Sequence, residues 1–123
     1  MSDRKPGTFS KKCRLKKYED FQTVFKNGIF FSNKLIKLGL LENKGECHQL
    51  GLIVSKRHGN APHRNYIKRL FREVFRLRRK DLKNTLDVVI IPRFTVKEWS
   101  LNSCDEAFRN LVKKYNGSLD IDS

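Results

Sequence analysis

Hydrophobic positions change their period several times along the chain, and each change marks an element. In "YEDFQTVFKNG", Phe21, Val24 and Phe25 recur at i, i+3 and i+4, which predicts a short helix. Glu19 and Asp20 stand where a helix N-terminus favours negative charge, and Asn27-Gly28 offers the left-handed conformation that ends helices. The pattern then shifts to alternation. Ile36, Leu38 and Leu40 fall on one face of "NKLIKLGLLEN", and Leu50, Leu52 and Val54 alternate in "HQLGLIVSK". Turn-forming "NKGE" lies between them, so the two strands are expected to pair as an antiparallel hairpin, with 29–31 adding a short piece before them. "DVVIIPR" is an apolar run closed by Pro92, the pattern of a strand buried on both faces.

A helical period governs "HRNYIKRLFREVFRLRRK", residues 63–80. Ile67, Leu70, Phe71, Val74 and Phe75 form one apolar stripe, while Lys68, Arg69, Arg72, Arg76, Arg79 and Lys80 fall opposite it. Arg78 projects toward the apolar side, where it is expected to snorkel or the helix to loosen. Glu73 is the one acid in the segment, placed to pair with Arg69, Arg76 or Lys80. Ser100 is a plausible N-cap for a last helix, in which Leu101, Cys104, Phe108, Leu111, Val112 and Tyr115 recur at helical spacing and which Gly117 is expected to stop. The reading is an α+β class: a small mixed sheet of about four strands covered by three helices, in the order α-β-β-β-α-β-α. Residues 1–14 read as a flexible basic arm, 15–116 as a single domain and 117–123 as a frayed tail. A strand–helix–strand unit ordinarily gives a parallel pair with a right-handed crossover.

Charge changes the picture from a fold to a partner. The 123 residues carry a formal net charge of +14 with a pI near 10.1, an excess that folding does not explain and that points to a polyanion. With 38% hydrophobic residues and nine Phe the chain is no disordered basic tail. No apolar run approaches the ~20 residues of a membrane span, and the N-terminus lacks an apolar signal-peptide centre, so a cytoplasmic protein without a membrane partner is expected. Cys13, Cys47 and Cys104 are odd in number and widely spaced, offering neither a disulfide framework nor a CxxC site. Cys47, His48, His58 and His63 lack the short paired spacings of a zinc set and read as loop residues near a polyanion.

Unrelieved Arg and Lys along a rigid helix make sense against phosphates, which the planar guanidinium binds as a fork. The preceding "SKRHGNAPHRN" continues the surface. Ser55 ends a strand, Lys56 and Arg57 follow, Gly59-Asn60 permits a tight turn, and Arg64 and Asn65 open the helix, where free N–H groups favour an anion.

These residues resemble the protein subunit of bacterial ribonuclease P. Its Arg-Asn-x-x-Lys-Arg-x-x-Arg signature appears here as Arg64, Asn65, Lys68, Arg69 and Arg72, preceded by Ser55, Lys56, Arg57, Gly59, Asn60 and Ala61 of its loop motif. "RLKKYEDFQTVFKNG" and "DVVIIPR" are similar to the family's first helix and last strand, and the resemblance runs from about Arg14 to Tyr115. Tyr66 stands where the signature usually has arginine, Pro62 and His58 replace common apolar loop residues, and Gly39 lies near the place of a frequent strand aromatic.

The resemblance implies a left-handed β-α-β crossover and a division of labour. The catalytic RNA subunit uses Mg²⁺ to remove the 5′ leader of precursor tRNA, and the protein, monomeric in the complex and without catalytic residues of its own, binds both RNAs. The implied RNA-binding residues are Lys56, Arg57, Asn60, Arg64, Asn65, Lys68, Arg69, Arg72 and Arg76. Phe21, Phe25, Lys17 and Arg14 are the implied leader-cleft residues, although an i, i+4 aromatic pair is otherwise read as core. Two rivals remain: a ribosomal-type RNA-binding protein, and a self-sufficient nuclease using His58 or His63 as acid/base. A DNA-reading helix-turn-helix is disfavoured, because no short helix and tight turn precede the basic helix.

Overall fold

The structure, a computed structural model, describes residues 14–15, 17–45 and 47–121. Residues 1–13 of the expected arm and the last two residues of the expected tail lie outside them. Helix α1 (Tyr18–Asn27) leads into strands β1 (Ile29–Ser32), β2 (Ile36–Glu42) and β3 (Gln49–Leu52). Helix α2 (Ala61–Arg78) follows, then β4 (Leu86–Pro92) and α3 (Leu101–Ile121).

The sheet order is β1-β2-β4-β3, so the expected β2–β3 hairpin does not form. Strand β4 inserts between them, antiparallel to β2 and parallel to β3, with α2 as the crossover. The physical reason lies in β4 itself. Val88, Val89 and Ile90 are all fully buried, so the strand needs cover on both faces and takes a central place. The four-residue β3 is left near the edge, where Arg14 bridges to Leu50 and the Leu15 N–H donates to the Leu50 carbonyl at 2.9 Å.

Alternation divides the sheet. Ile36, Leu38, Leu40, Leu50, Leu86, Val88 and Ile90 face α2 and α3, joining Ile67, Phe71, Phe75, Phe108 and Leu111 in the main core. On the other face, Leu15, Val24 and Val89 form a small second core beneath α1.

Two helix ends differ from expectation. Gly28 does not turn left-handed (φ −81°, ψ 169°). Its value is its missing side chain, since a Cβ there would stand 2.6 Å from the Val24 carbonyl oxygen and 2.9 Å from that of Leu40. Helix α3 also runs through Gly117 to Ile121, with Leu119 packed against the main core. Helix α2 starts two residues earlier than expected. The Asn60 side chain caps it by accepting from the His63 N–H at 3.0 Å, and Pro62 sits in the first turn, where a missing N–H costs nothing.

Candidate nucleic-acid interface

Helix α2 buries Ile67, Leu70, Phe71, Val74 and Phe75 and turns its charged side outward. Arg64, Lys68 and Arg72 follow one another at i, i+4 and i+8, which stacks them in one row along the helix. Asn65 and Arg69 are exposed beside that row. No carboxylate pairs with Lys68, Arg69 or Arg72 among the described residues.

Arg76 is different. Its Nε donates to Glu73 Oε1 at 2.9 Å, so the pairing open to Glu73 falls on Arg76 and this cation is answered from within the chain. Arg78 neither snorkels nor stands free. It grips Asp105 of α3 with two hydrogen bonds of 2.7 and 2.9 Å, and Arg109 Nε donates to the same carboxylate at 3.1 Å. The helix does give way there, passing into a single 3₁₀ turn at Arg79–Asp81.

Near the start of α2, the loop is held by its histidine. His58 is buried. Its Nδ1 accepts from the Ser55 N–H at 2.9 Å, leaving Nε2–H to donate to the Pro92 carbonyl at 2.6 Å. With both nitrogens engaged, this ring is a strut between the loop and the end of β4, not a mobile acid/base. Gly59 takes the left-handed region (φ 126°), the one such residue among those described, and the Arg64 Nη1 donates to its carbonyl at 3.0 Å. Arg57 lies over the Phe94 ring, its guanidinium carbon 3.8 Å from the centroid. Lys56 and Asn60 are exposed beside it. Tyr66, in the place of the family's arginine, donates its hydroxyl to the Trp99 carbonyl at 3.3 Å, tying α2 to the segment before α3.

Between α1, the β3 edge and α2 lies a notch of about 100 Å³, lined by Arg14, Leu15, Phe21, Leu50, Leu52, Lys68 and Arg72. Among the described residues, three cations and no carboxylate line it. Burial, and then the charge of Arg14, pull the Arg72 pKa below the usual guanidinium value. Phe21 reaches this place because β3 has a glycine beneath it: a Cβ on Gly51 would stand 2.5 Å from Phe21 Cε1. The expected cleft residues are thus divided. Arg14 and Phe21 share the notch with Lys68 and Arg72, Lys17 is exposed at the N-terminal end of α1, and Phe25 lies one turn further along, stacked on Phe30. The sequence reading passed over Phe30 and Phe94. A glycine at the middle of a strand, as at Gly39, is the signal that another group approaches closely.

The remaining candidates serve the fold. His48 accepts from the Leu86 N–H at 3.0 Å, and burial followed by the Arg79 charge lowers its pKa, which keeps it neutral. Cys47 is disulfide-bonded, against the expectation of no bridge, and Cys104 is free and buried, its thiol pushed up to about 12 by burial. Among the described residues no group of three or more His, Cys, Asp or Glu could hold a metal ion, and no helix is long and apolar enough to cross a membrane.

An α+β domain whose most cation-rich helix flanks a notch that, among the described residues, holds an aromatic ring and no acid has the chemistry of an RNA-binding protein. Comparison with known proteins makes the class specific. The family profile "Ribonuclease P" matches residues 9–116. The ribonuclease P protein component of Clostridioides difficile (strain 630) is 36% identical over 112 residues, covering 90% of this chain and 98% of that protein. The RNase P protein of Staphylococcus aureus superposes with a TM-score of 0.75 at 32% identity, over 84% of this chain and 94% of that one. For the Thermotoga maritima protein the TM-score is 0.74 at 30% identity, over 82% and 96%. The chain belongs to the ribonuclease P protein family.

Proposed function

We propose that this chain is the accessory protein of a ribonucleoprotein endonuclease: it binds the catalytic RNA of ribonuclease P and the 5′ leader of precursor tRNA. The α2 row of Arg64, Lys68 and Arg72, with Arg69, Asn65 and the Lys56–Arg57–Asn60 loop, meets the phosphates of the RNA subunit. The leader enters beside α1, where Phe21 offers a ring to an unpaired base and Arg14 draws its backbone. Lys17 and Phe25 continue that path. Arg76, occupied by Glu73, contributes least.

Magnesium stays with RNA phosphates in this reading. The described residues offer no set of carboxylates, histidines or thiols that fits the ion, so no step of the hydrolysis is assigned to the protein. Its part is to hold two polyanions together and lower the magnesium concentration at which they do so. A monomeric protein in the cytoplasm suffices for this, with neither DNA nor a membrane as partner.

The observation that carries the reading is the notch, where no carboxylate among the described residues pairs with Lys68 or Arg72 beside the Phe21 ring, in a chain of net charge +14. Such convergence of like charge costs stability unless an anion answers it. Reconstitution with a bacterial ribonuclease P RNA at low magnesium tests it. Faster cleavage of precursor tRNA and tighter leader binding are expected. No gain in either, with equal binding to ribosomal RNA fragments, returns the chain to a general RNA-binding role.

A further inference from the structure

On the side of α2 away from the notch, the place of Arg57 is set by a ring. Its guanidinium carbon lies 3.8 Å from the Phe94 centroid, in contact with the ring face. Phe94 stands in the connector between β4 and α3, far in sequence from the loop and the signature helix. Both partners are fixed from behind. The Arg93 N–H donates to the Leu35 carbonyl at 2.9 Å and its Nε to the Asn33 carbonyl at 2.7 Å, which anchors the connector one residue before the ring. The buried His58, bonded to Ser55 and Pro92, meets Phe94 edge-on with centroids 5.9 Å apart. One ring thus touches two successive loop residues, the buried histidine and the exposed arginine.

A ring holds a cation differently from an acid. Glu73 binds Arg76 through its N–H groups, so charge and donors are both answered within the chain. Phe94 takes only a face of Arg57. Among the described residues no carboxylate or carbonyl accepts from that guanidinium, so its N–H fork and its charge stay open. An arginine on a loop gives up rotamer freedom when it docks on a phosphate, and one already lying on a ring has given up part of it in the folded protein. Phe94 is 42% exposed, which is ordinary for a lone surface ring; the stacked cation is what marks it out.

We propose that Phe94 is a positioning residue for RNA binding, holding Arg57 flat with its fork free for one phosphate of the catalytic RNA. The proposal rests on the RNA-subunit reading above and adds to it a residue of the β4–α3 connector, outside the chain's signature motifs.

The test measures binding of the chain to a bacterial ribonuclease P RNA over a salt series, as a double-mutant cycle. Phe94→Leu keeps an apolar side chain and removes the ring face. It is expected to weaken binding about two- to fivefold, the range of an exposed cation–π contact, and to leave the salt slope unchanged because no charge is lost. Arg57→Ala is expected to weaken binding and to lower the slope by about one. On that background Phe94→Leu should have no further effect. A loss of equal size with and without Arg57 makes Phe94 a merely structural residue and overturns the proposal, as does no loss from Phe94→Leu alone. If Phe94→Leu fails to fold, Arg57→Lys decides, since it keeps the charge but not the flat fork. About threefold weaker binding at an unchanged slope is then expected, and wild-type affinity overturns the proposal. Wild-type protein that binds this RNA no better than ribosomal RNA fragments defeats the RNA-subunit reading itself, a separate outcome.

Discussion

On one face of the sheet, α2 and α3 bury Phe71, Phe75 and Phe108 completely, and seven strand residues close against them. Among the described residues the opposite face is covered by the ten-residue α1, and its core is Leu15, Val24 and Val89, with Phe21, Phe30, Leu41, Ile53 and Ile91 left partly open around it. The same strands make both faces. What differs is how completely the helices cover them, and that difference separates stability from binding: rings on the closed face hold the fold, while rings on the open face stand beside cations.

Paired truncations test this contrast most strongly. Phe75→Ala empties a fully buried site and is expected to cost about 3–5 kcal/mol, a large fraction of the stability of a domain of this size. Phe25→Ala, at a ring 42% exposed, should cost only about 1 kcal/mol. Denaturant midpoints of the two variants measure the difference. Equal losses would make the α1 face an ordinary second core and remove the contrast.

Glycine positions sharpen it. Gly51→Ala places a Cβ 2.5 Å from Phe21 Cε1 and 3.1 Å from Leu15 Cδ1, so the ring must leave or the helix must lift. A loss of about 1–3 kcal/mol is expected, with weaker leader binding. Gly45→Ala is the control, since its nearest neighbour is the Asn43 side chain at 3.3 Å in an exposed turn, and it should melt like the wild type.

Arg72→Ala probes charge rather than packing. Removing one phosphate-facing cation should weaken binding to the RNA subunit and lower the slope of log K against log salt by about one. Arg76→Ala, whose side chain is already paired with Glu73, should change that slope less. Filter binding over a salt series reads both, and an equal change for the two arginines would show that the Glu73 pair opens on RNA.

Helix periodicity was legible because it is local. The α2 stripe and its cations follow from spacing alone, and the pairing of Glu73 fell on one of the three partners its position allows. Sheet order was not legible. Strands β2 and β3 alternate well enough to pair with each other, and only the double burial of β4, a tertiary fact, places it between them. Glycine signals were misread in two directions. Gly28 does end α1, in extended backbone and by close approach rather than by a left-handed turn, whereas Gly117, expected as a stop, lies inside α3 with no neighbour within 4 Å of an added Cβ. Gly39 was seen as a lost aromatic, although the ring that crosses it comes from Phe30 on the adjacent strand. Arg78 found its partner 27 residues away, at Asp105, beyond the reach of any local pattern.

Two carboxylates carry the contrast between the faces to its smallest effect. Asp105, on the closed side, is held below the usual carboxylate range by its hydrogen bonds to Arg78, which outweigh its burial, and further by the charges of Arg78 and Arg109. Folding favours its ionised form, so its contribution is present above the ordinary Asp range and is lost as pH falls through the depressed value. Asp87, on the α1 face, is pushed up by burial, with Asn43 opposing and Asp20 adding to the shift. Folding disfavours its charge, and stability falls as pH rises from the ordinary Asp value through the raised one. Asp105→Asn should therefore destabilise at neutral pH and converge on the wild type in acid. Asp87→Asn keeps an oxygen to accept from Asn43 Nδ2, now 2.8 Å away, and should stabilise slightly at neutral pH, by less than about 1 kcal/mol. Urea midpoints at neutral and acid pH decide it. A loss on Asp87→Asn at neutral pH would mean that the charge is needed for the Asn43 bond, and that the open face tolerates a buried anion as readily as the closed one.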